Sequence, residues 1–85
     1  MAYFVYILEC SDSTLYTGIT KDLIKRLDEH NNSHKGAKYT KARRPVKIVY
    51  SECSADRSSA LKREHTIKKL SRDEKIRLIN AKTIC

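Results

Sequence analysis

Glu64 stands where a helical pattern calls for an apolar side chain. Ala60, Glu64 and Ile67 are spaced i, i+4 and i+7, one face of a helix. A carboxylate in such a stripe is costly unless a cation meets it. Two arrangements supply one: a rim position paired with a neighbouring lysine, or ligation of a divalent metal such as Mg²⁺, which takes one or two carboxylates plus water and phosphate. Arg26 and His30 form a second pair, four residues apart on an earlier helix and projecting together. Arg26 is either an ordinary surface arginine or a planar fork aimed into a cleft, the shape that suits a phosphate oxygen. Tyr6 and Tyr16 lie in two apolar, β-branched stretches, and Gly18 follows Tyr16 by two. Tyrosines in sheets are commonly packing residues, and a strand glycine weakens the sheet unless something needs its space. With an odd-numbered turn at Ser11-Asp12-Ser13, Leu8 pairs with Tyr16 and Tyr6 with Gly18, so both phenols share a face. An even-numbered turn separates them. His65 faces away from Glu64 and is expected at the surface.

The charge is unevenly distributed. The chain has 85 residues with 18 Lys and Arg against 10 Asp and Glu, a formal +8. That excess on so small a chain suits a polyanionic partner. Residues 1–20 hold no Lys or Arg, so every basic side chain comes from Lys21 onward. Lys35, Lys38, Lys41, Arg43 and Arg44 crowd the stretch from Asn31 to Pro45, which holds no acid. Each taken singly reads as solvated surface. Together they repel one another unless an anion such as a phosphate backbone is present. Tyr39 and Thr40 inside this stretch are placed to stack on a base, touch a phosphate or anchor the loop.

Stable positioning of these groups requires a small α+β core. Residues 3–9 are apolar on both parities, the mark of a central strand covered on both faces, and 14–19 return as its partner. Thr20 is expected to cap a helix from Lys21 to about Asn31, with Leu23, Ile24 and Leu27 inward and an Ile19–Ile24 staple. A basic loop leads past Pro45 to a third strand, Val46–Tyr50. A second helix follows Asp56 with Ala60, Leu61, Ile67 and Leu70 as apolar positions. Ser71-Arg72-Asp73-Glu74 spells a capping box for a third helix that buries Ile76 and Ile79. The expected architecture is a three-stranded antiparallel sheet flanked by three helices, order β-β-α-β-α-α, as one domain over residues 1–85. No membrane-spanning run or signal peptide is read, and Cys10, Cys53 and Cys85 are expected as reduced thiols in a cytoplasmic protein, without structural zinc.

Val5-Tyr6-Ile7, Tyr16-Thr17-Gly18, Arg26, His30 and Glu64 follow one another in an order and spacing that resembles the GIY-YIG nuclease superfamily, in particular its small stand-alone members. The resemblance extends through Gly36-Ala37-Lys38-Tyr39-Thr40, Arg44-Pro45 and the run from Ala60 to Ser71. The motifs read VYI and YTG in place of GIY and YIG, keeping both tyrosines and the glycine. The resemblance implies metal-dependent, single-displacement hydrolysis of DNA phosphodiesters. Glu64 would hold Mg²⁺ or Mn²⁺, and Arg26 would donate to a non-bridging oxygen. Tyr6 or Tyr16 would deprotonate the attacking water, and His30 would orient a phenol or carry its proton onward. Lys35, Lys38, Tyr39, Lys41, Arg43 and Arg44 would grip the DNA, with preference for single-stranded or structured forms and a place in repair or recombination. A non-catalytic nucleic-acid-binding module of the same fold is the competing expectation; no protein partner is indicated.

Overall fold

The central strand is β1 (Tyr3–Glu9), which pairs antiparallel with β2 (Leu15–Thr20) on one side and β3 (Lys47–Ser54) on the other, giving the order β2-β1-β3. This computed structural model describes residues 2–81. Both parities of β1 are buried, as its sequence requires. Val5 and Ile7 face a cluster with Tyr50, Ala60 and Ile67, while Tyr6 and Leu8 face Cys10 and Val46, with Leu23 and Leu27 packed alongside. Each fully buried aliphatic side chain contributes about 1.5–3 kcal/mol. Val5, Ile7 and Leu8, all at 0% exposure, therefore make β1 the anchor of both layers.

The turn after β1 settles the parity. Cys10 N–H donates to the Thr14 carbonyl at 2.9 Å, leaving the three residues Ser11–Ser13 as the loop. Asp12 accepts from the backbone and hydroxyl of Thr14, and Ser13 takes the left-handed conformation at φ 68°, the geometry of a three-residue hairpin. The odd register results: Tyr6 faces Gly18 and Leu8 faces Tyr16. The third strand runs longer than its apolar core suggests, continuing through Ser51-Glu52-Cys53-Ser54. As an edge strand it needs only one apolar face, so polar residues are tolerated there.

The first helix, α1 (Leu23–Asn32), begins later than expected because Asp22, not Thr20, is its cap and accepts from Lys25 N–H. That shift moves Ile24 off the position a staple requires, and it projects into solvent at 83% exposure. One turn of helix, α2 (Lys38–Lys41), appears inside the basic segment. The two remaining helices, α3 (Arg57–Lys68) and α4 (Arg72–Asn80), cover the Val5/Ile7 face. Asp56 caps the former, and the Ser71–Glu74 capping box forms as expected. Ala60 and Ile67 are buried, but Leu61 is exposed. On α4 the packing residues are Leu78 and Ile79, and Ile76 is exposed. The order β-β-α-β-α-α holds with the single turn of α2 added. Cys10 is a buried free thiol, the state expected of it; Cys85 lies outside the described residues. Among the described residues no helix is long and apolar enough to cross a membrane.

Candidate active site

Tyr6 is held in the middle of the sheet between two small cross-strand neighbours, Gly18 and Ser51. The space that Gly18 leaves is taken by the Tyr6 ring, whose hydroxyl reaches His30 on α1. The Tyr6 hydroxyl lies 2.8 Å from His30 Nε2, and His30 Nδ1 lies 2.8 Å from the Thr40 hydroxyl. All three side chains are buried. Tyr16, half-buried on β2, sets its ring edge against the same imidazole at 5.3 Å. Arg26, one helical turn before His30, donates to Glu29 Oε1 at 3.0 Å and to the Lys35 carbonyl at 3.1 Å.

The electrostatics tie these groups together. Burial drives the Tyr6 phenol up to about 12, against the pull of the neighbouring Arg26 guanidinium and with a further push from Tyr16 and Glu64. Glu64 therefore lies close enough for its charge to act on the phenol, not out in bulk water. Its side chain is 18% exposed and its nearest cation is Lys68 Nζ at 3.5 Å, one turn along α3. Tyr6, Tyr16 and His30 thus meet directly, with Arg26 beside the phenol and Glu64 acting on it through its charge. The rim pairing with a lysine is present as well.

Burial also pushes His30 down to about 4 from its ordinary 6.5, with Arg26 and Arg44 lowering it and Glu29 raising it. The folded value is below the unfolded one, so on acidification the unfolded chain takes up the proton first. Stability should be full above about pH 6.5, decline as pH drops toward 4, and level off below, a loss of about 3 kcal/mol from this group. Urea unfolding at pH 7.5 and 4.5 checks this; His30→Gln should remove most of the difference. An unchanged difference would place its origin elsewhere.

The basic segment is less free than its sequence suggests. Arg43 pairs with Asp12 at 3.1 Å, donates to the Tyr39 carbonyl and lies over the Tyr39 ring at 3.9 Å. Arg44 donates to the carbonyls of His30, Ser33 and Glu29, closing the last turn of α1, where a cation is favoured. Two of the five clustered cations are thus compensated from within, and Tyr39 already stacks on Tyr16 at 6.0 Å. Lys35, Lys38 and Lys41 remain as exposed side chains. Thr40 is fully buried and out of reach of a phosphate; it is an anchor. Of the partners that sequence reasoning missed, Glu29 stands at the i+3 helical spacing from Arg26 and could have been found, whereas Arg44 at the helix end gives no signal in local patterning.

Among the described residues no group of three or more His, Cys, Asp or Glu comes together as a metal cage. Glu64 alone fits the sparse oxygen donor set of Mg²⁺ or Mn²⁺, which one carboxylate, water and substrate phosphate complete. The Lys68 contact, at 3.5 Å from a half-exposed flexible chain, is the kind of weak pairing a divalent ion displaces.

Comparison with known proteins shows the family and the fold. The profile of the GIY-YIG catalytic domain matches residues 2–77. A UPF0213 protein of Desulfotalea psychrophila is 56% identical over 80 residues, covering 94% of this chain and 73% of that one. Another from Syntrophus aciditrophicus is 62% identical over 76 residues, covering 89% and 87%. The solution structure of a UPF0213 protein from Bacillus halodurans superposes with a TM-score of 0.62 at 41% identity, covering 96% of this chain and 86% of that one. A protein from E. faecalis gives 0.64 at 37% identity, covering 100% and 93%.

Proposed function

Since the chain belongs to the GIY-YIG catalytic domain family, we propose that it is a divalent-metal-dependent nuclease that hydrolyses DNA phosphodiester bonds. Its preferred substrates are single-stranded or branched DNA, and its setting is DNA repair or recombination. The observation that carries the reading is the hydrogen-bonded Tyr6–His30 pair with Arg26 and Glu64 acting on the same phenol. Glu64 holds the Mg²⁺ or Mn²⁺ ion, which when bound neutralises the scissile phosphate and stabilises the leaving oxygen.

The residues then divide the work. Arg26, already charged and fixed by Glu29 and the Lys35 carbonyl, donates to a non-bridging oxygen as charge builds there. Tyr6 takes the proton of the attacking water as its own proton passes to His30 Nε2. In the resting site this transfer is unfavourable, because burial raises Tyr6 and lowers His30. The anionic phosphate of a bound strand raises His30, and a divalent ion held by Glu64 would lower Tyr6 beyond what Arg26 does alone, so the pair acts only with substrate in place. Tyr16, at the half-exposed edge, orients the water. Lys35, Lys38 and Lys41 hold the backbone without reading bases.

The test is a digestion panel of single-stranded, duplex and branched DNA, with Mg²⁺ or Mn²⁺ and with a chelator. Cleavage of single-stranded and branched DNA is expected with metal and none with chelator. Salt-sensitive binding without cutting of any substrate would leave a binding module of the same fold.

A further inference from the structure

We infer that Thr40 sets the tautomer of His30 and so decides which way the Tyr6 proton points. The inference rests on the nuclease reading only for its consequence in cleavage. Thr40 Oγ1 lies 2.9 Å from the Ala37 carbonyl and 2.8 Å from His30 Nδ1. A carbonyl oxygen accepts and cannot donate, so the single hydroxyl proton of Thr40 goes to Ala37. The hydroxyl then has only a lone pair to offer His30, and Nδ1 must carry the ring N–H. Neutral imidazole has one N–H, which leaves Nε2 bare and facing Tyr6. The Tyr6 hydroxyl is therefore the donor in its 2.8 Å bond.

The chain of bonds runs one way, from Tyr6 Oη–H to Nε2, from Nδ1–H to Thr40 Oγ1, and from Thr40 O–H to Ala37. The opposite tautomer breaks it. With the proton on Nε2, Thr40 would have to turn its proton from Ala37, whose carbonyl also accepts from the N–H groups of Thr40 and Lys41, and the buried Tyr6 hydroxyl would lose His30 as the acceptor for its own proton. Arg26, Glu29 and Arg44 act on the charge of the ring, yet both ring nitrogens are taken by Tyr6 and Thr40.

The polarity matters for proton traffic. Breaking Tyr6 Oη–H and forming Nε2–H gives an imidazolium whose Nδ1–H stays on Thr40. The water proton replaces the one Tyr6 gave up, the hydroxide bonds to phosphorus, and the P–O bond to the leaving oxygen breaks, that oxygen taking a proton from solvent. Thr40 touches no reacting atom; it is a positioning residue on α2, and its partner Ala37 is the cap of that turn.

The test reads the tautomer directly from a long-range ¹H–¹⁵N spectrum of the His30 ring at pH 7.5. In the unaltered protein Nδ1 should be protonated and Nε2 bare. Thr40→Val, which keeps shape and loses the hydroxyl, should bring up an Nε2–H signal. It should also cut cleavage about 10–100-fold, within what a proton-transfer group supplies. Thr40→Ser should restore both. An Nε2–H tautomer in the unaltered protein, or an unchanged tautomer in Thr40→Val, overturns the inference. The unaltered spectrum decides even where the valine variant fails to fold. A protein with the Nδ1–H tautomer that cuts no DNA would end the nuclease reading and leave the Thr40 assignment standing.

Discussion

Replacing Glu64 by alanine should abolish cleavage in Mg²⁺ and Mn²⁺ while leaving DNA binding and folding close to those of the unaltered protein. A carboxylate that seats the catalytic ion supplies several kcal/mol to the transition state, and its loss should cost at least ~10³-fold in rate. The folding cost is small by comparison. Among the described residues Glu64 pairs with Lys68, at 3.5 Å along one helix, an arrangement worth about 0.3–0.5 kcal/mol, and alanine is the better helix former. Affinity for a polyanion should hold or rise slightly as a negative charge leaves. The salt dependence set by Lys35, Lys38 and Lys41 should also hold, at a slope of about −2 from these three on single strands. Gel-based digestion, anisotropy across a salt series and a thermal melt on one preparation measure all three. A Glu64→Ala protein that cuts as fast as its parent would remove the acid from the chemistry. One that melts far below its parent would show the residue to be a packing element.

What could be read ahead of the structure was local. Alternation on neither parity in residues 3–9 marks a strand buried on both faces, and β1 is that strand. The Ser71–Glu74 box is three residues long and forms unaided by the rest of the fold. Glu64 was visible as a misfit in an apolar stripe, since a helix face is decided by spacing alone. The parity of the first hairpin was not visible, because it turned on whether Ser13 would take a left-handed conformation usually given to glycine or asparagine. At the start of α1, two adjacent candidates, Thr20 and Asp22, compete for one cap, and a two-residue slip put Ile24 in water. The basic segment was the hardest to read. Its charge count is a property of the sequence. Its free charge depends on Asp12, 31 residues from Arg43, and on the carbonyls at the end of α1 that Arg44 closes. Thr40 illustrates the same limit: no local pattern distinguishes a threonine that touches a phosphate from one that holds a histidine ring ten residues away.

Gly18→Ala should lower both stability and cleavage although glycine's backbone freedom is not needed there. The φ of Gly18 is not positive, so an alanine fits the main chain and the effect comes from one methyl group. Its Cβ would stand 2.5 Å from the Tyr6 hydroxyl, 2.7 Å from Cζ and 3.2 Å from Cε2. The tip of a surface tyrosine would swing aside at little cost. This ring is 2% exposed and has its hydroxyl on His30. Overpacking of this sort costs about 1–3 kcal/mol, and stretching or losing the buried hydrogen bond adds about 1–3 kcal/mol. The lower unfolded-state entropy of alanine returns about 0.5–1 kcal/mol. A net loss of about 1–5 kcal/mol follows, and a phenol moved by ~1 Å should slow cleavage about 10²-fold. Combining Gly18→Ala with Tyr6→Phe separates the two effects. Removing the hydroxyl takes away the closest clash, so the double variant should be more stable than the two single losses sum to, while remaining inactive. Strict additivity in urea unfolding, or a Gly18→Ala protein with unaltered melting and unaltered cleavage, would mean that Tyr6 does not occupy the space this glycine leaves.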